Sequence, residues 1–235
     1  MNKKEFLEEL SKLNIYLTEK QLNQLDKFYK LLISWNEKIN LTTIIKEEDV
    51  YLKHFYDSLT LIKAIDLTKD LKVLDVGTGA GFPGIVLKIV FPNLKITLLD
   101  SLNKRINYLN EVIKELELKD IETICSRSEE YSKKHSEEYD IVVSRAVAHL
   151  RILSEITFSS VKVNGYLIAM KGNIDFELDE SKDIISKLNG KIENIYNFNL
   201  PFEFSQRNII KIKKINKTPN IYPREYSKIK KEVKK

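Results

Sequence analysis

Four of the seven glycines in this 235-residue chain, Gly77, Gly79, Gly81 and Gly84, fall within eight residues, in the segment VLDVGTGAGFPG behind Asp75. Glycine at that density marks a turn that needs positive φ and lets a ligand approach the backbone closely. Between a strand and a helix, such a turn binds a nucleotide-like cofactor at the strand ends. Two templates compete for it. Gly79-Ala80-Gly81-Phe82-Pro83-Gly84 matches the dinucleotide fingerprint G-x-G-x-x-G, with Asp100, 21 residues beyond Gly79, as the ribose acid. Gly77, Gly79 and Gly81, in step behind Asp75, match the G-x-G-x-G loop of S-adenosylmethionine enzymes. In a dinucleotide loop the first glycine directly follows the strand. Here that glycine is Gly77, which puts Phe82 where the third glycine belongs. The register favours S-adenosylmethionine. Asp100 suits either cofactor, because a carboxylate accepts two hydrogen bonds from ribose hydroxyls.

The methyl acceptor is read from what the chain offers beyond the loop. Enzymes that methylate exocyclic amines carry an Asn/Asp-Pro-Pro-aromatic turn after the fourth strand, whereas Ser144-Arg145-Ala146-Val147-Ala148 stands here. Carbon methylation of pyrimidines needs a nucleophilic cysteine, and the single Cys125 ends an apolar run and is expected in the core. No acid–base pair is evident. Guanine N7 would need none, since its lone pair attacks directly and leaves positioning and electrostatics to the enzyme. One cysteine excludes an intrachain disulfide and a CxxC zinc site, and three scattered histidines argue against a metal. No apolar run approaches the ~18–20 residues of a membrane span. With its charged start, MNKKEFLEEL, the chain is expected to be soluble and cytoplasmic, with no membrane partner.

Charge points to a polyanion. The formal net charge is +5, yet residues 207–235 carry eleven Lys/Arg against two Glu, a net of +9, and the preceding 206 residues a net of −4. A basic C-terminal stretch on a mildly acidic body suggests a polyanionic partner. If about four of its cations reach phosphates, log affinity should fall with log salt at a slope near −3 for single strands. Only six of the 39 basic residues are Arg, at 105, 127, 145, 151, 207 and 224, and guanidinium grips phosphates and bases as ammonium cannot.

The elements that must hold these residues follow from periodicity. Thr18 and Gln21 have capping-box spacing, and Leu22, Leu25, Phe28, Leu32, Trp35 and Ile39 form one stripe of a long amphipathic helix. A second helix is expected over 50–65. From Lys72 strands alternate with helices: strands at 72–76, 95–100, 121–125, 139–144 and 165–171, helices at 83–91, 103–116, 128–134 and 147–161. That alternation predicts an α/β fold with a mostly parallel, doubly wound sheet. A helix over 174–188 and an antiparallel edge hairpin, 191–200 with 207–215, complete it. The stretch 216–235 is basic and weakly patterned. The expected divisions are a helical N-terminal extension (1–65), a cofactor-binding domain (66–215) and a basic tail (216–235).

The chain resembles the bacterial small-subunit ribosomal RNA methyltransferase G family, also called glucose-inhibited division protein B. The likeness rests on WNEKINLT (35–42), HFYDSL (54–59), LDVGTGAGFPG (74–84), DSLNKR (100–105), RSEE (127–130), YDIVVSRAVA (139–148) and NIYPR (220–224). The resemblance implies a Rossmann-like class I methyltransferase fold behind the helical extension. It also implies methyl transfer from S-adenosyl-L-methionine to N7 of one guanine in the 530 loop of 16S rRNA, in free rRNA or the small ribosomal subunit. A monomer is expected.

Carried over by position, the resemblance sets Gly77 and Gly79 against the methionine part of the cofactor and Phe82 beside it. Asp100, Ser101 and Leu102 would hold ribose and adenine, and Ser128 and Glu129 would meet the adenine, with Ser128 replacing the family's Ala. Arg145 would stand near both cofactor and guanine, as cofactor ligand and catalytic residue. Lys171, Arg207 and Arg224 are the candidate RNA contacts, and His54 and Asp57 are read as orienting the N-terminal helices or the wall of the site. One stretch departs from the family. After Tyr222-Pro223-Arg224 the usual glycine and two prolines are replaced by Ser227, Ile229 and Val233. Two rival readings remain: a nicotinamide-dependent oxidoreductase, and a non-catalytic RNA-binding module on the same fold.

Overall fold

The computed structural model describes residues 1–174 and 176–233. Two helices open the chain, α1 (Lys3–Ser11) and α2 (Glu19–Ile39), and both start in capping boxes, Asn2 with Glu5 and Thr18 with Gln21. The helix expected over 50–65 is composite. It runs as α3 (Glu47–Val50), a π-helical stretch (Tyr51–Tyr56), α4 (Asp57–Leu59) and a 3-10 turn (Thr60–Lys63). π-helical insertions concentrate at functional sites, and this one carries Lys53 and His54.

Seven strands follow: β1 (Lys72–Val76), β2 (Lys95–Asp100), β3 (Ile121–Cys125), β4 (Tyr139–Arg145), β5 (Val161–Lys171), β6 (Gly190–Asn199) and β7 (Gln206–Lys214). They form one sheet in the order β3-β2-β1-β4-β5-β7-β6. The first five are parallel, and β7 enters antiparallel between β5 and β6. This is the expected doubly wound sheet with its antiparallel edge. Its order reverses between β1 and β4, the switch point at which such sheets bind ligands. The crossovers are α5 (Gly84–Val90), α6 (Asn103–Glu115), α7 (Ser128–Lys134) and α8 (Leu150–Thr157). α9 (Glu177–Lys187) precedes the hairpin and α10 (Tyr226–Lys231) is the last described helix.

Strand alternation sorts the core into two layers. Val73, Ile96, Leu98, Ile141, Val143 and Ile168 face α5, α6 and the N-terminal helices, while Leu74, Val76, Leu99, Val142 and Leu167 face α8 and α9. Helix α2 is tied to the first layer by more than its stripe. Gln21 donates to the carbonyls of Ile89 and Val90, Gln24 to Leu116 and Lys27 to Glu115, and Trp35 Nε1 donates to Glu111. Those carbonyls are the orphaned acceptors at the C-terminal ends of α5 and α6. The extension therefore caps α5, the helix that follows the glycine loop, and its neighbour α6.

Two expectations are corrected. Cys125 is exposed, because β3 is the edge strand and none of its residues is fully buried. The stretch after 215 is structured where α10 packs Ile229 against Ile152 and Ile156 of α8. No described helix is long and apolar enough to cross a membrane.

Candidate active site

β1 ends at Val76, and the chain turns through Gly77, Gly79 and Gly81, at φ 67°, 59° and 93°, into α5. Asp75 organises this turn. Its side chain is fully buried, and Oδ2 accepts from the Thr78 hydroxyl at 2.7 Å and the Gly84 N–H at 2.8 Å. Oδ1 has no partner. Burial pushes the Asp75 carboxyl up to about 6, while Thr78 and Gly84 pull the other way. The loop is pinned to β2 as well: Gly77 and Thr78 donate to the Leu99 carbonyl, and Gly79 donates to Asp100 Oδ2 at 3.0 Å.

The four glycines serve different ends. A Cβ on Gly84 would lie 2.3 Å from Leu98 Cδ2 and 2.8 Å from Asp75 Oδ2, and one on Gly81 would lie 2.6 Å from Ile85 Cγ1. Both are packing positions between helix and sheet, so Gly81 is not the ligand-facing residue that the glycine pattern predicts. Gly79 is: around its missing Cβ the nearest atom is 3.8 Å away, and the residue lines a cleft.

That cleft, about 460 Å³, lies along the C-terminal ends of β1, β2 and β4. The structure brings Gly77, Gly79, Phe82, Asp100, Ser101, Ser128, Glu129 and Arg145 into its wall. Leu102 stays outside. It N-caps α6, gives its backbone N–H to Asp100 Oδ1 and leaves its side chain exposed. The volume falls in the range of small-molecule sites. Asp100, 3 % exposed, accepts from Gly79, Leu102 and Arg105. A carboxylate has about four lone-pair sites, so one acceptor position remains for a hydroxyl. With an open glycine turn on one side and this carboxylate on the other, the cleft fits an adenosyl cofactor.

A second cavity of about 530 Å³ adjoins the first. His54, Arg145, Ala146, Val147 and Ala148 line both and so form the partition. Phe82 supports that partition: His54 stacks on its ring with centroids 4.4 Å apart, and the Arg145 guanidinium lies 5.1 Å over it. Phe28 and Phe55 of the extension pack on the same ring. Arg145 donates to Asp57 Oδ2, the Lys53 carbonyl and His54 Nδ1, each at about 3 Å. Arginine has only donors, so Nδ1 of His54 accepts, and Nε2 carries the proton and donates to Thr42 at 3.0 Å. Burial, and then the Arg145 charge, pull the His54 pKa down to about 3, so the ring is neutral. Burial also lowers the Arg145 value, against the pull of Asp57, and the guanidinium stays a cation.

Asp57 binds a second guanidinium, Arg207 Nε, at 3.1 Å. Arg207, Lys171 and Lys53 line the second cavity. Lys171 is held at the rim by Glu177 at 2.6 Å and by the Ala148 carbonyl. Arg224 lines neither cavity. Its guanidinium is clamped by the buried Glu155 carboxylate at 2.6 Å and by Glu232, which also pairs with Arg151. His54 and Asp57 thus occupy the wall expected of them. Thr42, Thr78, Arg105, Ser126 and Tyr226 join the first cleft without having been assigned to it in the sequence. WNEKINLT, LDVGTGAGFPG and DSLNKR contain Thr42, Thr78 and Arg105 in turn, whereas nothing local to Tyr226 signals its place. Among the described residues no cluster of His, Cys, Asp or Glu could hold a metal.

Comparison with known proteins bears on this arrangement. A family model described as rRNA small subunit methyltransferase G matches residues 21–210. The chain is 48% identical over 228 residues to a protein of Bacillus cytotoxicus named ribosomal RNA small subunit methyltransferase G, covering 96% of this chain and 95% of that one. It is 50% identical over 212 residues to the protein of that name from Desulforamulus reducens, covering 89% and 88%. Among solved structures it is similar to a SAM-dependent methyltransferase from Aquifex aeolicus, with a TM-score of 0.55 at 20% identity. That match covers 77% of this chain and 97% of the other, and it shows the shared fold.

Proposed function

The chain belongs to the rRNA small subunit methyltransferase G family, and from that membership we propose that it methylates N7 of a guanine in the 530 loop of 16S rRNA, using S-adenosylmethionine. One observation carries the reading: a cofactor-sized cleft and a cation-lined cavity share a partition whose ionisable side chains are both committed. The only lone pair of the neutral His54 ring accepts from Arg145, and the Arg145 guanidinium cannot take a proton. That partition offers no general base. An acceptor that loses no proton on alkylation matches such a wall, and guanine N7 is one.

When bound, S-adenosylmethionine supplies a methyl group activated by sulfonium. Gly77 and Gly79 would admit its methionyl part, Phe82 would flank it, and Asp100 with Ser101 would take the ribose. Ser128 and Glu129 would meet the base. Arg145, held from three sides, keeps a fixed positive field at the partition and orients the incoming purine. Asp57 holds Arg145 and Arg207 in one frame. Arg207 and Lys171 are the proposed RNA contacts on the cavity side.

The test is methyl transfer from labelled donor to small-subunit RNA, naked and assembled, read by chemical cleavage at 7-methylguanine. Label at one guanine N7 is expected. Absence of label in both substrates sinks the reading.

A further inference from the structure

The turn between β6 and β7 places two large apolar side chains in an unusual setting. Phe202 and Phe204 are 50% and 73% exposed, and their backbones lie in the left-handed region, at φ 68° and 55°. That conformation is rare for a bulky residue and is ordinarily left to glycine or asparagine. Both features disfavour the fold, and neither ring adds to the core. Strain held in this way, at a defined place, points to function.

The turn is anchored to the second cavity from both ends. Glu203, between the two rings, pairs with Lys53 at 2.8 Å, and the Ser205 hydroxyl accepts from Arg207 at 3.1 Å. Lys53 and Arg207 line that cavity, and so does Phe198, with Lys63 lying 5.3 Å over its ring. The Leu200 carbonyl accepts from Phe204 N–H and the Leu200 side chain is fully buried, so the turn is rigid where it leaves β6. The result is two exposed rings on a turn tied to the cavity-wall cations Lys53 and Arg207. That combination tracks single-stranded nucleic acid, with cations toward phosphates and rings under bases.

We propose that Phe202 and Phe204 form a nucleobase-stacking platform for the unpaired RNA nucleotides that flank the acceptor guanine. The proposal rests on the function proposed above and adds a base-binding site to it. Stacking on exposed rings fits unpaired RNA better than a duplex, whose bases are already stacked.

The test replaces both rings by asparagine, Phe202→Asn/Phe204→Asn, the residue that best tolerates the left-handed backbone. A second variant, Phe202→Trp/Phe204→Trp, restores the aromatic faces. The probes are a fluorescent oligoadenylate octamer, for binding at low salt, and naked small-subunit rRNA, for methylation. The asparagine variant should bind the octamer about 5- to 100-fold more weakly per ring lost. Its KM for rRNA should rise similarly, kcat and S-adenosylhomocysteine affinity should stay within about twofold, and its melting temperature should hold or rise. The tryptophan variant should bind as the parent does. The proposal is overturned if the parent does not bind the octamer, or if the asparagine variant binds it and naked rRNA within twofold of the parent. A defect confined to assembled subunits would assign the rings to a ribosomal protein and overturn it too. Ring-dependent octamer binding by a parent that labels no guanine would uphold the platform while removing the function reading.

Discussion

Asp75 and Gly79 show how closely the loop is balanced. The buried Asp75 carboxyl titrates near 6, above its ordinary value, so the folded state favours the protonated form. Its contribution to stability is therefore full below about pH 4 and is lost as pH rises through about 6. At neutral pH the difference amounts to about 3 kcal/mol, taken at 1.36 kcal/mol per unit. Asp75→Asn keeps an acceptor for Thr78 and Gly84 and removes the charge. His54, its pKa depressed to about 3, shifts stability the other way in both proteins, so urea unfolding at pH 4 and pH 7 should show the variant gaining about 3 kcal/mol on the parent between the two. Gly79→Ala tests the ligand-facing position. Its methyl group meets no atom closer than 3.8 Å, so the fold should lose only the roughly 1–2 kcal/mol of a left-handed L-residue. S-adenosylhomocysteine affinity, measured by calorimetry, should fall at least about tenfold because the methyl enters the cleft. At this scale the spacing of Gly77 and Gly79 behind Asp75 was readable in the chain. The different task of Gly81 was not, since it depends on Ile85 and Leu109 closing over it.

Helix α10 shows an element that periodicity alone did not find. It has six residues and one buried side chain, Ile229, too short a pattern to register as a helix. Contacts distant in sequence make it: Arg224 reaches Glu155, 69 residues away, and Glu232 ties Arg151 to Arg224. Glu155 is fully buried, so Arg224→Ala would leave its carboxylate without its guanidinium, at a cost of about 3 kcal/mol. A fall of roughly 6–12 °C in melting temperature is expected, by the usual 2–4 °C per kcal/mol for chains of this size. Glu155→Leu/Arg224→Leu should recover most of it. Because Tyr226 lines the cofactor cleft, the single variant should also weaken S-adenosylhomocysteine binding, which a purely peripheral tail would not do. The composite helix from Glu47 to Lys63 belongs to the same class. Its amphipathic pattern was legible over 50–65, but the π-helical register was not, and neither were the long-range ring contacts made from it, Phe55 on Phe28 and His54 on Phe82.

Across the whole molecule, electrostatics divides the C-terminal charge into two populations. Arg224 and Arg207 are committed to carboxylates, whereas Lys217, Lys230 and Lys231 are exposed. If these lysines reach phosphates, converting all three to Gln should reduce the slope of log affinity against log salt by about 2 for single-stranded RNA. Filter binding over a salt series reads this directly. An unchanged slope would assign the electrostatic contact to the cavity side, around Lys53 and Arg207.

The strands, the parallel-sheet class, the long capped helix and the cofactor loop could all be read from the chain, because each depends on neighbours a few residues apart. Periodicity, capping and turn chemistry are local. The partition between the two cavities is not. It brings His54 and Asp57 of the extension, Phe82 of the loop, Arg145 at the end of β4 and Arg207 of the edge hairpin into contact across as many as 150 residues. Which of the six arginines would be buried and fixed, and which cations would stay free, depends on the carboxylates that folding sets opposite them. Only the packing of the extension and the tail onto the sheet decides that.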